Sequence, residues 1–266
     1  LGCLIVGVLN CTPDSFSDGG RYASTDEAVA VGLRMADAGA DWIDIGGEST
    51  RPRSVPVSED DERARVVPVI EKLRARLPRA VLISVDTYKA GTARDALAAG
   101  AGVVNDVSGG LLDPRILAVA AEAGAPIVIG HLRGAPATMM EEVAFDDPVA
   151  DVGDELGTRI ASARAAGCRQ VWADPGIGFG KLLEHNVALL RGLPLLRARL
   201  AVPLMVGVSR KAFIGQLTGK PAGGRQFGTA GAVAAAVLGG ADAVRVHDVA
   251  EMRDVVRVAE AIAGHH

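Results

Sequence analysis

Eight short apolar runs in this 266-residue chain each end on a side chain able to hold a polar group or a charge. In order, these side chains are Asn10, Asp44, Asp86, Asn105 with Asp106, His131, Asp174, the triplet Ser209–Arg210–Lys211, and Arg245 with His247. An ionised carboxylate only accepts hydrogen bonds, whereas asparagine both donates and accepts, so the first six positions suit a ligand edge rich in N–H groups. Lysine and arginine at the last two suit an anionic or electron-rich group. Arg245 and His247 stand two residues apart, and a strand projects both to the same side. Any one Asp, Asn or Ser after a strand is commonly a helix cap, and Asn10 or His247 alone reads as a turn or structural residue. A polar group after every one of the eight runs points to a shared site. No Ser-His-Asp or Cys-His nucleophile arrangement is present.

The elements that must carry these residues follow from the spacing. The apolar runs are Cys3–Leu9, Trp42–Ile45, Val81–Val85, Val103–Val104, Pro126–Ile129, Val171–Ala173, Pro203–Val208 and Ala243–Val246. Between them lie longer stretches of helical character rich in Ala, Arg and Glu, such as Asp26–Ala38, Glu59–Leu77, Ala90–Ala99 and Pro114–Ala123. Alternating strands and helices imply right-handed βαβ units and a parallel sheet. The phrases AGADWI, AGAGVV, AGAPIV and GGADAV mark helix-to-strand joints, where glycine ends the helix and the strand starts at once. Eight such units predict an α/β fold, a single-domain (β/α)8 TIM barrel spanning residues 1–266, with every strand end on one face. Hydrophobic residues make up 49% of the chain and aromatics only 3%, so the core must be aliphatic. That suits strands buried on both faces.

Composition also excludes several classes. Net charge is −4, and no basic run or Arg/aromatic stripe is present, so no nucleic-acid partner is expected. Cys3, Cys11 and Cys168 are scattered without CxxC spacing, which indicates neither a disulfide framework nor a zinc site. No apolar stretch reaches the roughly 18 residues needed to span a membrane, and no signal-peptide pattern is evident. A cytoplasmic setting with no membrane partner is expected. His265 and His266 are assigned no chemistry.

Several of these strand ends sit in longer motifs. GVLNCTPDSFSDGGRY (Gly7–Tyr22), DIGGESTRP (Asp44–Pro52), SVDT (Ser84–Thr87) and NDVSGG (Asn105–Gly110) come in sequence. HLRGAPATM (His131–Met139), DPGIGFGK (Asp174–Lys181), GVSRKAFIG (Gly207–Gly215) and VRVHDV (Val244–Val249) follow. In this order and over the whole chain they resemble the dihydropteroate synthases. The resemblance implies a transferase of folate synthesis that displaces pyrophosphate from a pterin pyrophosphate with the amine of p-aminobenzoate. It also implies Mg2+ as cofactor and a homodimer as the working assembly.

What the resemblance implies for individual residues is specific. Asp174 matches the residue that accepts two adjacent N–H groups of the pterin in a paired, charge-assisted fashion. Asp86, Asn105 and Asp44 match the surrounding pterin site. Lys211 resembles the lysine that reaches the ring oxygen and nitrogen and borders the p-aminobenzoate pocket, near Ser209. Arg245 and His247 match groups that bind the diphosphate, and a planar guanidinium can also stack on the pterin face. Lys211, Arg245, His247 and Asp86 are thereby the expected catalytic set. Asn10 resembles the residue that holds Mg2+, whose hard charge prefers oxygen ligands. Phe16, Thr50, Arg51, Pro52 and Phe179 match the wall around the second substrate.

Two positions depart from the family pattern. Ala212 stands where a serine or larger residue commonly meets the p-aminobenzoate carboxylate, leaving backbone N–H groups for that contact. Arg53 replaces the glycine of TRPG and adds a cation near the mouth. Rival readings are a pterin-binding methyltransferase barrel, which shares the Asp/Asn/Asp clamp, and a catalytically silent binding homologue. The joint presence of TRP, SRK and RVHD disfavours the first, and intact Asn10, Lys211, Arg245 and His247 disfavour the second.

Overall fold

The structure, a computed structural model, describes residues 2–12, 25–50, 54–141 and 143–264. Its strands are β1 (Leu4–Asn10), β2 (Trp42–Gly46), β3 (Leu82–Asp86), β4 (Val103–Asp106), β5 (Ile127–Gly130), β6 (Val171–Asp174), β7 (Met205–Gly207) and β8 (Ala243–Val246). The helices between them are α1 (Thr25–Asp37), α2 (Glu59–Arg74), α3 (Ala90–Ala98), α4 (Arg115–Ala123), α5 (Pro148–Ala165), α6 (Leu183–Arg191), α7 (Leu193–Leu200), α8 (Ala212–Thr218) and α9 (Gln226–Leu238), with α10 (Val249–Ala263) after β8. Starts and stops obey local chemistry. The Ser58 hydroxyl accepts from the Asp61 N–H at the head of α2, and Asp147 caps α5 immediately before Pro148.

All neighbouring strands are parallel, in the order β6-β5-β4-β3-β2-β1-β8-β7. A single bridge, Ala173 to Leu204, joins the two ends of that order and brings the sheet to near closure as a (β/α)8 barrel. The Ala173 N–H donates to the Pro203 carbonyl at 2.9 Å across this seam. Strand β7 starts later than its apolar run, because Pro203 has no N–H to donate and the Leu204 N–H donates to the Asp242 carboxylate at 2.8 Å instead of to the ladder.

The two-residue period of a strand divides the core in two. Ile5, Leu9, Ile43, Ile45, Ile83 and Val85 belong to the large cluster shared with the helices. The alternate positions, Val6, Trp42, Val103, Val128, Met205 and Ala243, form a second cluster. Trp42 and Trp172 meet edge to face there, with ring centroids 5.1 Å apart. Continuing up the same faces, the next positions are Asp44 and Ser84, then Asn10, Asp86 and Asn105, with Asp174 at the end of β6. One periodicity thus gives an apolar floor and a polar mouth. Register confirms the level of the mouth, since Asn10 pairs with Gly46, Gly46 with Asp86, and Asp86 with Asn105.

Glycine at the mouth has a steric cause at Gly130, the last residue of β5. An added Cβ would lie 2.5 Å from the Val107 carbonyl oxygen and 2.6 Å from its Cα, and backbone cannot step aside as a flexible side chain can. Gly130→Ala is expected to lower stability by about 1–3 kcal/mol, the usual cost of overpacking. Urea denaturation checks this; an unchanged midpoint would mean the Val107 turn yields freely.

Candidate active site

The mouth of the barrel holds a pocket lined by Asp86, Asn105, Val107, His131, Asp174, Phe179 and Arg245, among others. Its electrostatic centre is Arg245. The Arg245 Nε donates to Asp44 Oδ2 at 2.5 Å and Nη2 donates to Asp86 Oδ2 at 2.6 Å, so one guanidinium joins β8 to β2 and β3. Asp44 is fully buried and also accepts from the Ser84 hydroxyl (2.6 Å) and the Asn105 amide (3.0 Å). Protein donors occupy both of its oxygens, so Asp44 fixes the orientation of Asn105 and Arg245. Burial and the nearby Asp44 charge push the Asp86 carboxyl up to about 7, although Arg245 pulls the other way. Burial likewise raises Asp174, whose Oδ1 accepts from the Gly176 N–H at 2.8 Å.

Lys211 opens α8 on the opposite wall. Its ammonium lies 3.8 Å from the centroid of the Phe179 ring, a cation–π contact between the loops after β6 and β7. Burial and the Arg245 charge lower the Lys211 pKa to about 8, against the attraction of Asp174 and Asp86. Arg210, immediately before it, holds φ +59°, and its backbone N–H donates to the Thr229 hydroxyl at 3.0 Å. Ser209 serves His247: its hydroxyl oxygen accepts from the His247 backbone N–H (3.2 Å) and lies 2.9 Å from Nδ1. Burial and the Arg245 charge push His247 down to about 4, so the ring is neutral near pH 7.

The structure therefore brings Asp44, Asp86, Asn105, Asp174, Phe179, Ser209, Lys211, Arg245 and His247 to one end of the barrel, as their strand ends required. Asn10 is half-buried at the same level, and Thr50 follows β2 on the same side. Phe16, Arg51, Pro52 and Arg53 lie outside the described residues. Asp106 turns inward on its own loop, accepting from the Ser108 N–H and hydroxyl and the Gly110 N–H, which is a structural duty.

Sequence reasoning missed a buried group behind the pocket. His131 has no exposed surface; its Nδ1 lies 2.9 Å from Lys181 Nζ and its Nε2 lies 3.1 Å from Glu155 Oε2. Glu155, on α5, is paired with Arg133 and Arg159. His131 stood out as a strand-end residue, but Lys181 was only the last letter of a glycine-rich motif, and Glu155 sat among ordinary helix surface charges.

The family model for pterin-binding enzymes matches residues 6–247, and the chain belongs to that family. Within it, the chain is similar from end to end to dihydropteroate synthases. It is 46% identical to the Synechocystis dihydropteroate synthase, covering 97% of this chain and 89% of that protein. The solved Yersinia pestis dihydropteroate synthase, in a sulfonamide drug complex, superposes with a TM-score of 0.93 at 41% identity, covering 99% of this chain and 95% of that one. The Xanthomonas albilineans enzyme with 4-aminobenzoic acid superposes with a TM-score of 0.90 at 44% identity, covering 98% and 93%.

The buried histidine yields a pH prediction. Burial lowers His131 from 6.5 to about 4, so between these values the unfolded chain binds a proton that the folded chain does not. Stability contributed by neutral His131 is present above pH 6.5 and is lost as pH falls toward 4, at a cost on the order of 3 kcal/mol. In His131→Asn that component should vanish, flattening the acid limb of a denaturation-against-pH curve. Parallel curves for the two proteins would rule it out.

Proposed function

We infer that this protein condenses 6-hydroxymethyl-7,8-dihydropterin pyrophosphate with p-aminobenzoate, giving 7,8-dihydropteroate and pyrophosphate. The observation that carries this reading is a pocket in which acceptors for a ring edge, Asp174, Asn105 and Asp86, face Arg245, with Lys211 beside it on the Phe179 ring. No feature of the site favours a methyltransferase or a silent binding protein.

The chemistry is a displacement at the pterin methylene. The lone pair of the aromatic amine forms the new C–N bond, the C–O bond to diphosphate breaks, and the amine proton passes to water. Positive charge grows on the pterin as the leaving group departs, and the Asp174 and Asp86 carboxylates stabilise it. Asp86, with a pKa raised to about 7, ionises more fully once a cationic ring lies beside it. Lys211, still largely protonated at neutral pH, donates to the ring oxygen and nitrogen. Arg245 supplies a charge that stays on at any working pH. His247 contributes differently: the Ser209 hydroxyl can donate to Nδ1, leaving Nε2–H as a neutral donor for the diphosphate.

Mg2+ belongs to this proposal as a companion of the diphosphate. Among the described residues no cluster of three or more His, Cys, Asp or Glu could cage a metal. Asn10 offers one neutral, hard oxygen at the mouth. That donor set fits Mg2+, which commonly takes one or two protein oxygens and completes its shell with water and phosphate. When bound, the ion would neutralise charge on the leaving group.

The working assembly in this reading is a homodimer. An apolar groove between α6, α8 and α9, lined by Leu190, Pro194, Phe213, Ile214 and Leu217, suits burial against a second copy. No helix among the described residues is long and apolar enough to cross a membrane. We place the reaction in the cytoplasm, where unpaired thiols such as Cys3, Cys11 and Cys168 persist.

Pyrophosphate release is the deciding assay. It should require both organic substrates and stop when Mg2+ is chelated; release without p-aminobenzoate, or none at all, would remove this function. Asp174→Asn keeps the shape but loses the charge and one acceptor. A charged hydrogen bond is worth about 1.5–3 kcal/mol, so pterin affinity should fall at least roughly tenfold by calorimetry. Sedimentation should report a dimer that Leu217→Glu weakens, and a monomeric parent protein would exclude the assembly.

A further inference from the structure

The loop from β6 to α6 is held from within by a group that does not itself line the pocket but grips two residues that do, His131 and Phe179. Lys181 Nζ sits 3.0 Å from the Phe179 carbonyl oxygen, 3.4 Å from the His131 carbonyl oxygen and 2.9 Å from His131 Nδ1. These three acceptors match the three N–H donors of an ammonium. The alternative is a neutral amine accepting a proton from Nδ1–H. It would leave a bare Nε2 lone pair facing the Glu155 carboxylate at 3.1 Å, two acceptors without a hydrogen between them. The donor count leaves protonated Lys181 with a neutral His131 carrying its hydrogen on Nε2, or an imidazolium facing a neutral amine. The amine is the stronger base, burial lowering Lys181 to about 7 but His131 to about 4, so the shared proton rests on Lys181. The loop itself leaves little room for another arrangement. At Gly176, with φ +68°, an added Cβ would lie 2.0 Å from the His131 carbonyl oxygen. At Gly178, with φ +81°, it would lie 2.9 Å from the Lys211 side chain. From the outer side, Asn186 accepts from the Gly178 N–H at 2.6 Å and donates to the Lys181 carbonyl at 3.2 Å.

We propose that Lys181 is a positioning residue for the amine substrate: by clamping the Phe179 carbonyl to His131, it holds the Phe179 ring beneath Lys211. The chain of contacts runs from Glu155, which orients His131, through His131 Nδ1 to Lys181, then through the Phe179 backbone to the ring and to Lys211. The pterin edge is bound by Asp86 and Asn105 on β3 and β4 and by Asp174 at the rigid end of β6, so the clamp bears on it less than on the Phe179 ring farther along the loop. The inference rests on the reading above that p-aminobenzoate binds beside Phe179 and Lys211.

Two measurements test it. In Lys181→Met, which preserves length and apolar packing, KM for p-aminobenzoate should rise roughly tenfold or more, while KM for the pterin pyrophosphate moves less than about threefold. A purely structural role would lower the active fraction, and with it the apparent kcat, leaving both KM values in place. Equal changes in the two KM values, or none, would overturn the proposal. If Lys181→Met does not fold, His131→Asn and His131→Gln replace it. Asn keeps an acceptor near the Nδ1 position and should retain p-aminobenzoate affinity; Gln does not and should lose it; the reverse order overturns the clamp. The second measurement needs no substrate. Nitrogen-15 NMR of the wild-type protein should show His131 as the Nε2–H tautomer, and an Nδ1–H signal would refute the arrangement even in an active enzyme. An inactive wild-type protein with the expected tautomer would instead refute the reading of function and with it the role toward p-aminobenzoate, and leave only the geometry of the clamp.

Discussion

The pairing of Arg245 with two carboxylates inside the barrel mouth is the constraint on which the site depends. Ions removed from water destabilise a fold unless they are paired and their remaining hydrogen-bonding groups are met. Here Asp44 meets Arg245, Asn105 and Ser84, while Asp86 meets the far side of the same guanidinium. Four strands thereby share one network, and none of its members can rotate without leaving another unsatisfied. Removing Arg245 would leave the buried Asp44 and Asp86 carboxylates without a cation, which is why the group behaves as a unit. Burial and this network together set the ionisation of the pocket. Burial raises Asp86 to about 7 against the pull of Arg245, and burial, then the Arg245 charge, lowers Lys211 and His247.

The floor of the barrel makes this polar layer tenable. Trp42 and Trp172 and the aliphatic residues around them fill the lower interior, so the charges stand on a dry base and face solvent only at the mouth. A low local dielectric strengthens each hydrogen bond aimed at a ligand. It also means that a reaction which develops charge on a ring and a leaving group meets dipoles already oriented, with little reorganisation left to perform.

The walls are built differently from the floor. Phe179 and Lys211 come from loops, and loops hold shape only through specific contacts. The β6–α6 loop has glycines with positive φ at 176, 178 and 180, and is pinned by Lys181 and Asn186. The β7–α8 turn has Arg210 in a left-handed conformation, tied to Thr229 and Asp248. A pterin-binding enzyme needs its ring clamp on rigid strands, but the second substrate must enter beside it. In the proposed function, placing the second wall on pinned loops reconciles the two demands.

Much of this was legible in the sequence. The alternation of apolar runs with helical stretches determined a parallel (β/α)8 barrel, because parallel strands need a crossover between them and eight such units curl the sheet into a barrel. The residue after each run determined which groups reach the mouth, since strand ends share one face. The motifs determined the family. Three-dimensional partnership was not legible. Asp44 and Arg245 are separated by 201 positions, and nothing local marks the two as partners. Lys181, Glu155 and the tautomer of His131 were invisible for the same reason: each acquires its role from atoms supplied by other elements. Sequence periodicity is a property of neighbours along the chain, so it determines elements and faces. Pairing of charges is a property of neighbours in space, and only the closed barrel decides it.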